Sequence, residues 1–443
     1  MTKWLNKLSY TRIIAIGFLL VIFIGSLLLM LPISSVSREW TPFLNALFTA
    51  TSATCVTGLA VCDTGLYWSV FGQIVILLMI QIGGLGFMST ISMVFIFLKK
   101  KISLTERQIL MQSAGTIRIS GIVKLLKQIF LATLLYELAG AVVLSIRFIP
   151  QFGIIRGIYY SIFHSISAFC NAGFDLLGNS QSFTAYEGDY LVNITLILLI
   201  VFGGLGFLVW DEIYRKRLHF STYTLHAKLV LVMTAALLLV GWIGFFVFEY
   251  HNNLEGYPLS KKLISSCFMS ATTRTAGMNT IDISTLSDSS SILTMILMLI
   301  GGSPGSTAGG IKTTTVAVII LAIVNLSKGR EDVTVFKKRL DDSLSKHAAV
   351  IIILYVLAAL ISAMIICAIE PFSQTSIMFE IISAAGTVGL SQGITSDLCA
   401  VSKIILIVLM FGGRVGGFSL LMVFREKKKE APLRRPVERI LIG

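Results

Sequence analysis

Ser52-Ala-Thr-Cys-Val-Thr-Gly58-Leu59 is a stretch that recurs three more times along this chain. The other copies are Ser167-Ala-Phe-Cys-Asn-Ala-Gly173-Phe174, Ser270-Ala-Thr-Thr-Arg-Thr-Ala-Gly277-Met278 and Ser383-Ala-Ala-Gly-Thr-Val-Gly389-Leu390. A glycine pair follows the last glycine of each copy, at 25, 30, 24 and 23 residues. These pairs are Gly83-Gly84, Gly203-Gly204, Gly301-Gly302 and Gly412-Gly413. The Ser-to-Gly stretch and the glycine pair that follows it both recur four times at a similar spacing, which indicates a fourfold internal repeat.

The chain around these stretches consists of apolar runs with few charges. Of the 443 residues 55% are hydrophobic and only 13% charged, and the mean hydropathy is +0.85. Soluble globular proteins have about 25% charged residues, so this composition excludes a soluble enzyme. A transmembrane helix needs about 20 apolar residues. Eight runs fit this length: 13–37, 64–98, 128–146, 190–210, 229–248, 289–311, 348–369 and 404–424.

The segments that precede the shared glycines are too short to cross a bilayer. They are the amphipathic pieces 41–53, 157–169, 260–271 and 375–385. A helix of this length spans about 18 Å, whereas the hydrocarbon core measures about 30 Å. We therefore expect re-entrant half-helices, whose turns must be buried in protein or line water.

The predicted fold class is an all-α integral membrane protein with four tandem M1–P-loop–M2 repeats, arranged pseudo-fourfold around a central pore. M1 and M2 are the first and second spans of a repeat, and the P-loop is the half-helix with its turn. The predicted repeats are 13–98, 123–217, 227–327 and 346–425, followed by a cytosolic tail at 426–443.

The four turns have no carboxylate between the shared Ser and the last Gly. Glycine tolerates positive φ, so consecutive backbone carbonyls could line a selectivity filter and bind an alkali cation. The alternative role for these glycines is tight helix packing, which we favour for Gly83, Gly84, Gly203 and Gly204. The predicted filter residues are Thr54, Cys55, Val56, Thr57, Gly58, Phe169, Cys170, Asn171, Ala172, Gly173, Thr273, Arg274, Thr275, Ala276, Gly277, Ala385, Gly386, Thr387, Val388 and Gly389.

The net charge of +13 follows membrane topology and does not indicate a nucleic-acid partner. With both termini in the cytoplasm, the inner segments hold 27 of the 36 Lys and Arg residues, as the positive-inside rule requires. Three inner segments, 99–127, 328–346 and 425–439, could also bind a cytosolic partner or anionic lipid. The six cysteines show no metal-binding spacing, and no catalytic constellation is present, so we expect no enzyme.

The second span of the third repeat is interrupted by five glycines and Pro304 within ten residues, which cannot continue a helix. We predict a gate at this loop, with a static kink as the alternative. Arg414 lies in the last span, where an arginine is costly and indicates function; a structural ion pair is its alternative. The predicted gate residues are Gly301, Gly302, Ser303, Pro304, Gly305, Ser306, Thr307, Ala308, Gly309, Gly310, Lys312 and Arg414. For Lys312 an ordinary charge facing the helix bundle is the alternative.

Four further polar residues fall in apolar surroundings. Arg274 is expected to point behind the filter and to brace it, with Glu380 as a candidate partner. Glu137 is interpreted as a buried structural acid and His164 as a packing residue.

The repeated M1–P-loop–M2 unit, the single filter glycines and the segment 302–314 resemble the Ktr/Trk/HKT potassium-uptake superfamily. Eight spans without an added N-terminal helix pair resemble its KtrB-type membrane subunit. The resemblance implies filter carbonyls near the four glycines, a homodimer in the cell membrane, and a cytosolic nucleotide-binding RCK ring (KtrA-type). Cys55 and Cys170 depart from the hydroxyl or other small side chains usual at their positions.

Together these features predict potassium uptake through a gated pore. The resemblance implies no cofactor in this chain, K⁺ as the transported ion, Na⁺ as a candidate activator, and ATP or ADP only on the partner. A K⁺ symporter coupled to Na⁺ or H⁺ is the alternative, since repeats also occur in transporters.

Overall fold

The computed structural model describes residues 10–86, 89–90, 92–93, 122–179, 181–217, 219–330 and 332–416. This part of the chain is helical apart from one two-stranded hairpin, β1 (Thr334–Val335) and β2 (Lys338–Arg339). The predicted tail at 426–443, the basic segment 425–439, most of the segment 99–127 and the end of the first repeat lie outside the described residues.

Four long helices begin the four repeats, and each is followed by a half-helix and a second helix. The long helices are α1 (Tyr10–Met30), α4 (Ile122–Phe152), α8 (Leu225–Phe248) and α12 (Asp342–Ile369). The half-helices are α2 (Phe43–Thr54), α5 (Ile154–Phe169), α9 (Leu259–Thr272) and α13 (Gln374–Gly386). The second helices are α3 (Val70–Leu85), α6 (Tyr190–Leu205) with α7 (Phe207–Lys216), α10 (Asp288–Leu299) with α11 (Thr313–Ser327), and α14 (Ala400–Val415).

The long helices form the outside of the molecule. Within the described ranges, four helices are long and apolar enough to cross a membrane, or five if the bent pair α6–α7 counts as one span. Their outer faces expose large apolar side chains, such as Phe23 of α1, Leu135 of α4 and Ile353 of α12. Such faces are expected where lipid replaces water.

The second helices are shorter than the eight-span prediction assumed. α3, α6 and α14 have 16 residues each and reach about 24 Å. Each ends at a glycine with positive φ, namely Gly86, Gly206 and Gly416. At Gly206 the chain turns by 98° into α7. The interruption predicted for the third repeat therefore has a counterpart in the second, at Gly206.

The half-helices pack in a closed ring. Each one lies against the long helix of its own repeat, and also against a second helix of the repeat before it. The pairs across repeats are α5 with α3, α9 with α6, α13 with α10, and α2 with α14. The last pair joins the first repeat to the fourth, so the repeats close around one axis.

Candidate ion-conducting site

The four shared glycines meet at the centre of this ring. A Cβ built on each would lie 3.0 Å or less from the backbone oxygen that precedes the glycine of a neighbouring repeat. Gly58 approaches Ala172 in this way, and Gly173 approaches Ala276. Gly277 likewise approaches Val388, and Gly389 approaches Thr57. The contacts run once around the ring in one direction, so each glycine occupies a place that no side chain could share.

The backbone of all four turns takes the same unusual conformation. Two residues before each glycine stands a non-glycine residue with positive φ: Val56 (58°), Asn171 (56°), Thr275 (70°) and Thr387 (52°). The glycines themselves have φ between 73° and 96°. Strained conformations of this kind persist where the surroundings enforce them, and they cluster at functional sites. The sequence showed the glycines but not these strained partners, because Val and Thr have no preference for positive φ.

Hydroxyl groups at the ends of the half-helices hold the turns in place. Ser52 Oγ accepts a hydrogen bond from the Gly58 N–H at 3.1 Å, and Ser383 Oγ accepts one from Gly389 at 3.0 Å. Ser167 Oγ instead donates to the Phe174 carbonyl at 2.6 Å. These bonds explain why a serine recurs six residues before the glycine in three repeats.

The third repeat differs from the expected alignment. Its shared serine, Ser270, stands seven residues before Gly277 and donates to the Leu238 carbonyl of α8 at 2.7 Å. Thr272 anchors the turn instead, because its hydroxyl donates to the Met278 carbonyl. In this copy the anchoring hydroxyl therefore belongs to Thr272, five residues before Gly277.

The glycine pairs bring the second helices against the ends of the half-helices, as predicted for close-packing positions. A Cβ on Gly83 would overlap the Thr54 carbonyl, and one on Gly203 would overlap that of Phe169. Gly413 meets Ala385 in the same way. The carbonyls involved belong to the last residues before each turn.

A cavity of about 180 Å³ opens above the glycine ring. Its wall includes all four glycines and two carboxylates, Asp63 and Asp175. We call this cavity the vestibule. Its acidic wall favours cations over anions near the turns.

The break in the third repeat is a loop between α10 and α11 whose backbone is hydrogen-bonded to its surroundings. A backbone hydrogen bond joins its two ends, because Gly301 N–H donates to the Ile311 carbonyl at 2.9 Å. Its middle is bound to α6, where Ser303 and Thr307 N–H donate to Gly204 and Gly203 at 3.0 and 3.2 Å. We call residues 301–310 the intramembrane loop.

The intramembrane loop also lies directly against two of the four turns of the ring. Thr307 Oγ1 donates to the Phe169 carbonyl of the second repeat at 3.2 Å. On the other side, a Cβ on Gly309 would overlap the Thr387 hydroxyl of the fourth repeat. Lys312 donates to the loop carbonyl of Ala308 at 2.6 Å, so its ammonium stabilises the loop from within.

Arg414 connects three parts of this site. Its Nη1 donates to the Thr307 carbonyl, and its Nη2 donates to the carbonyls of Gly83 and Gly84, the latter at 3.1 Å. The two glycine carbonyls belong to the last turn of α3, where the helix dipole is negative. All of these acceptors are backbone oxygens. Among the described residues Arg414 has no carboxylate partner, so the alternative predicted for it, a structural ion pair, is not found there.

Arg274 and Glu380 do not form the expected pair. The Glu380 carboxylate accepts from Ser391, and from Thr395 at 2.9 Å. Arg274 is buried, and its Nε and Nη2 atoms have no hydrogen-bond partner among the described residues.

Glu137 lies behind the turn of the second repeat. Its carboxylate accepts from Gln81 Nε2 at 3.3 Å and from the Cys170 thiol at 3.9 Å. Cys55 and Cys170 are buried at the ends of α2 and α5, and all six cysteines are free. The described residues contain no cluster suited to a metal ion.

His164 makes a hydrogen bond through each ring nitrogen, which sequence reasoning missed when it treated this residue as packing only. Nδ1 lies 2.7 Å from the Tyr160 carbonyl, and the Leu176 N–H donates to Nε2 at 3.0 Å. The signal that could have found it is the placement of a histidine on a half-helix nine residues before a filter glycine.

Comparisons with known proteins agree with this geometry. Residues 9–432 match the family model TrkH, described as a cation transport protein. The chain is 40% identical to the potassium/sodium uptake protein NtpJ of Enterococcus hirae, covering 99% of this chain and 98% of that protein. It is 39% identical to the Ktr system potassium uptake protein B of Bacillus subtilis, covering 100% and 98%.

A solved structure shares the fold. The crystal structure of the potassium transporter TrkH from Vibrio parahaemolyticus superimposes with a TM-score of 0.71 at 17% identity, over 92% of this chain and 84% of that one. Membership of a transport family also confirms that the chain is not an enzyme. The match over nearly the whole length, together with the ring of four turns, shows that this chain belongs to the TrkH family of cation transport proteins.

Proposed function

We propose that this chain conducts K⁺ into the cell through the ring of four filter turns. One observation carries the proposal: each shared glycine lies against a backbone carbonyl of the neighbouring repeat, and the four contacts close into a ring. Backbone oxygens arranged in a ring can replace the hydration shell of an alkali cation. The cation would pass from the vestibule through the turns toward the intramembrane loop.

Membrane energetics and the names of the relatives support the proposed ion and direction. A potential of 100 mV, negative inside, supplies about 2.3 kcal/mol for each cation that enters, so uptake needs no ATP hydrolysis in this chain. The two uptake proteins compared above are named for potassium, and one of them for sodium as well. A filter with a single glycine in each turn is expected to discriminate less strictly between alkali cations, so we include Na⁺ as a second transported ion or as an activator.

The first prediction concerns purified protein in liposomes. We expect ⁸⁶Rb⁺ uptake that is driven by an imposed negative potential and competed by K⁺ more strongly than by Na⁺. Protein-free liposomes are the control. Uptake that requires a Na⁺ or H⁺ gradient at fixed stoichiometry would support the symporter alternative and contradict a pore.

We further propose that the intramembrane loop is the gate and that a cytosolic partner controls it. α11 leads from the loop to the hairpin β1–β2, where Asn325 and Thr334 are joined side chain to side chain at 3.4 Å. The hairpin residue Phe336 contacts Phe220, with ring centroids 6.3 Å apart, and Lys228 lies over both rings. A nucleotide-binding RCK ring on this face, carrying ATP or ADP, and a second copy of this chain are the proposed partners. The loop would move when the partner displaces α11.

The second prediction concerns the vestibule. Burial raises the pKa of the Asp175 carboxyl to about 7, and the nearby charge of Asp63 adds to the rise. External acidification from pH 8 to pH 6 should protonate Asp175 and remove a negative charge above the filter. We expect the KM for Rb⁺ to rise about two- to fivefold, since one charge at several ångströms in water is worth roughly 0.5–1 kcal/mol.

Asp175→Asn provides the comparison for this pH effect. Its KM should be high at both pH values, because the asparagine has no charge to lose. A wild-type KM that stays constant from pH 8 to pH 6 would contradict the assigned role of Asp175.

A further inference from the structure

The tautomer of His164 is determined by its two partners. A carbonyl oxygen can only accept, so the ring must carry its proton on Nδ1, toward Tyr160. The backbone N–H of Leu176 can only donate, so Nε2 must be unprotonated. His164 is therefore a neutral imidazole that joins the half-helix α5 to the segment after the second filter turn.

Aromatic side chains hold the ring in this orientation. The ring centroids of Phe183 and Phe148 lie 5.0 and 5.6 Å from that of His164, both in edge-to-face geometry. His164 is fully buried. Packing alone would need an aromatic ring here but not an acceptor at Nε2, so the bond to Leu176 requires a separate explanation.

Leu176 lies between the two acids of the vestibule. Its neighbour Asp175 lines the cavity beside Gly173. The Leu176 carbonyl lies so close to Gly65 that a Cβ there would be 2.6 Å away. Gly65 N–H in turn donates to the Asp63 carboxylate at 2.9 Å. The hydrogen bond that Leu176 N–H donates to His164 therefore holds the segment that carries Asp175. The same segment packs against Gly65, which binds Asp63, so the bond positions both acids above the glycine ring.

We propose that His164 is a positioning residue for cation access to the filter, acting through Leu176 on the Asp175 carboxylate. The inference rests on the proposed function, because it assigns the residue a role in loading the same pore. Its effect is electrostatic, since a carboxylate aimed into a confined vestibule raises the local concentration of cations. His164 itself does not touch the ion.

Two substitutions separate this role from packing. His164→Gln places an amide oxygen near the position of Nε2, where it can accept from Leu176 N–H. His164→Asn is shorter, reaches only the position of Nδ1, and leaves Leu176 without its acceptor. We expect His164→Asn to raise the KM for ⁸⁶Rb⁺ about three- to fivefold with Vmax within twofold of wild type, and His164→Gln to restore most of the KM. A similar KM in wild type and His164→Asn would overturn the proposal.

A double-mutant cycle tests whether Asp175 carries the effect. In an Asp175→Asn background, His164→Asn should raise KM by less than about 1.5-fold, because the charge it positions is already gone. Equal increases in both backgrounds would show that His164 acts by general packing and would contradict the inference.

Hydrogen–deuterium exchange gives a measurement that does not depend on transport. The peptide that contains Leu176 should exchange faster in His164→Asn than in wild type, and His164→Gln should exchange at close to the wild-type rate. Unchanged exchange in His164→Asn would overturn the positioning role. If wild-type protein conducts no cation while exchange responds as expected, the proposed function fails and the positioning of this segment stands.

Discussion

Gly277→Ser is expected to lower the K⁺/Na⁺ permeability ratio about tenfold in protein that still folds. The new Cβ would overlap the Val388 carbonyl and lie 3.1 Å from the Cα of Gly389, so the fourth turn must move away from the axis. A displaced carbonyl no longer matches its three counterparts around the ion. The measurement is the reversal potential, or the relative Rb⁺ and Na⁺ flux, in liposomes.

Gly256→Ser is the matched control for this substitution. Gly256 belongs to the same repeat and has φ of 75°, against 76° for Gly277, but a Cβ there would meet nothing within 4 Å. Both variants therefore carry the same backbone cost of about 1–2 kcal/mol for a left-handed non-glycine residue. Only Gly277→Ser should change selectivity. A wild-type permeability ratio in folded Gly277→Ser would remove this glycine from the filter.

The half-helices were predictable because two independent signals coincide at each of them. A short amphipathic segment, such as 41–53, cannot cross a bilayer, and a glycine in register follows it. The structure places α2 at Phe43–Thr54, and the other three half-helices likewise fall within a few residues of their predictions. The length and the hydrophobic periodicity of such a segment are local properties, so they can be read directly from the sequence.

The register of the third filter turn was not predictable in the same way. Ser270 aligns with the shared serine of the other repeats by residue type, but the third repeat has one more residue between this serine and its glycine. Thr272 takes over the anchoring bond, since either hydroxyl can donate to a carbonyl. The expected pair of Arg274 and Glu380 failed for a related reason, because Glu380 has nearer hydroxyl partners in its own repeat.

The contacts of the intramembrane loop could not be predicted either, because they are made to distant parts of the chain. Five glycines and a proline predict a break correctly, but their composition resembles that of a mobile linker. The loop's hydrogen bonds go to the carbonyls of Gly203 and Gly204 on α6 and of Phe169 on α5. Those acceptors are about 100 residues or more away in sequence, and only the closed ring of repeats brings them together.

Arg414→Ala is expected to raise basal K⁺ flux, measured in liposomes without any cytosolic partner, by about tenfold or more. The substitution removes the hydrogen bonds to Thr307 of the loop and to Gly83 and Gly84 of α3. A hydrogen bond to a charged group contributes about 1.5–3 kcal/mol, and 1.4 kcal/mol already shifts an open–closed equilibrium tenfold. It also removes a positive charge that opposes a passing cation.

Arg414→Lys separates the two causes. A lysine keeps the charge, but its single ammonium cannot bridge Thr307 and the α3 carbonyls as the planar guanidinium does. High flux in both variants would assign gating to the bridge, and high flux in the alanine variant alone would assign it to the charge. Arg215→Ala is the control, because Arg215 is exposed on α7 and pairs with Asp211 four residues away. If Arg414→Ala folds and conducts at the basal wild-type rate, the bridge is a static brace and the intramembrane loop is not the gate.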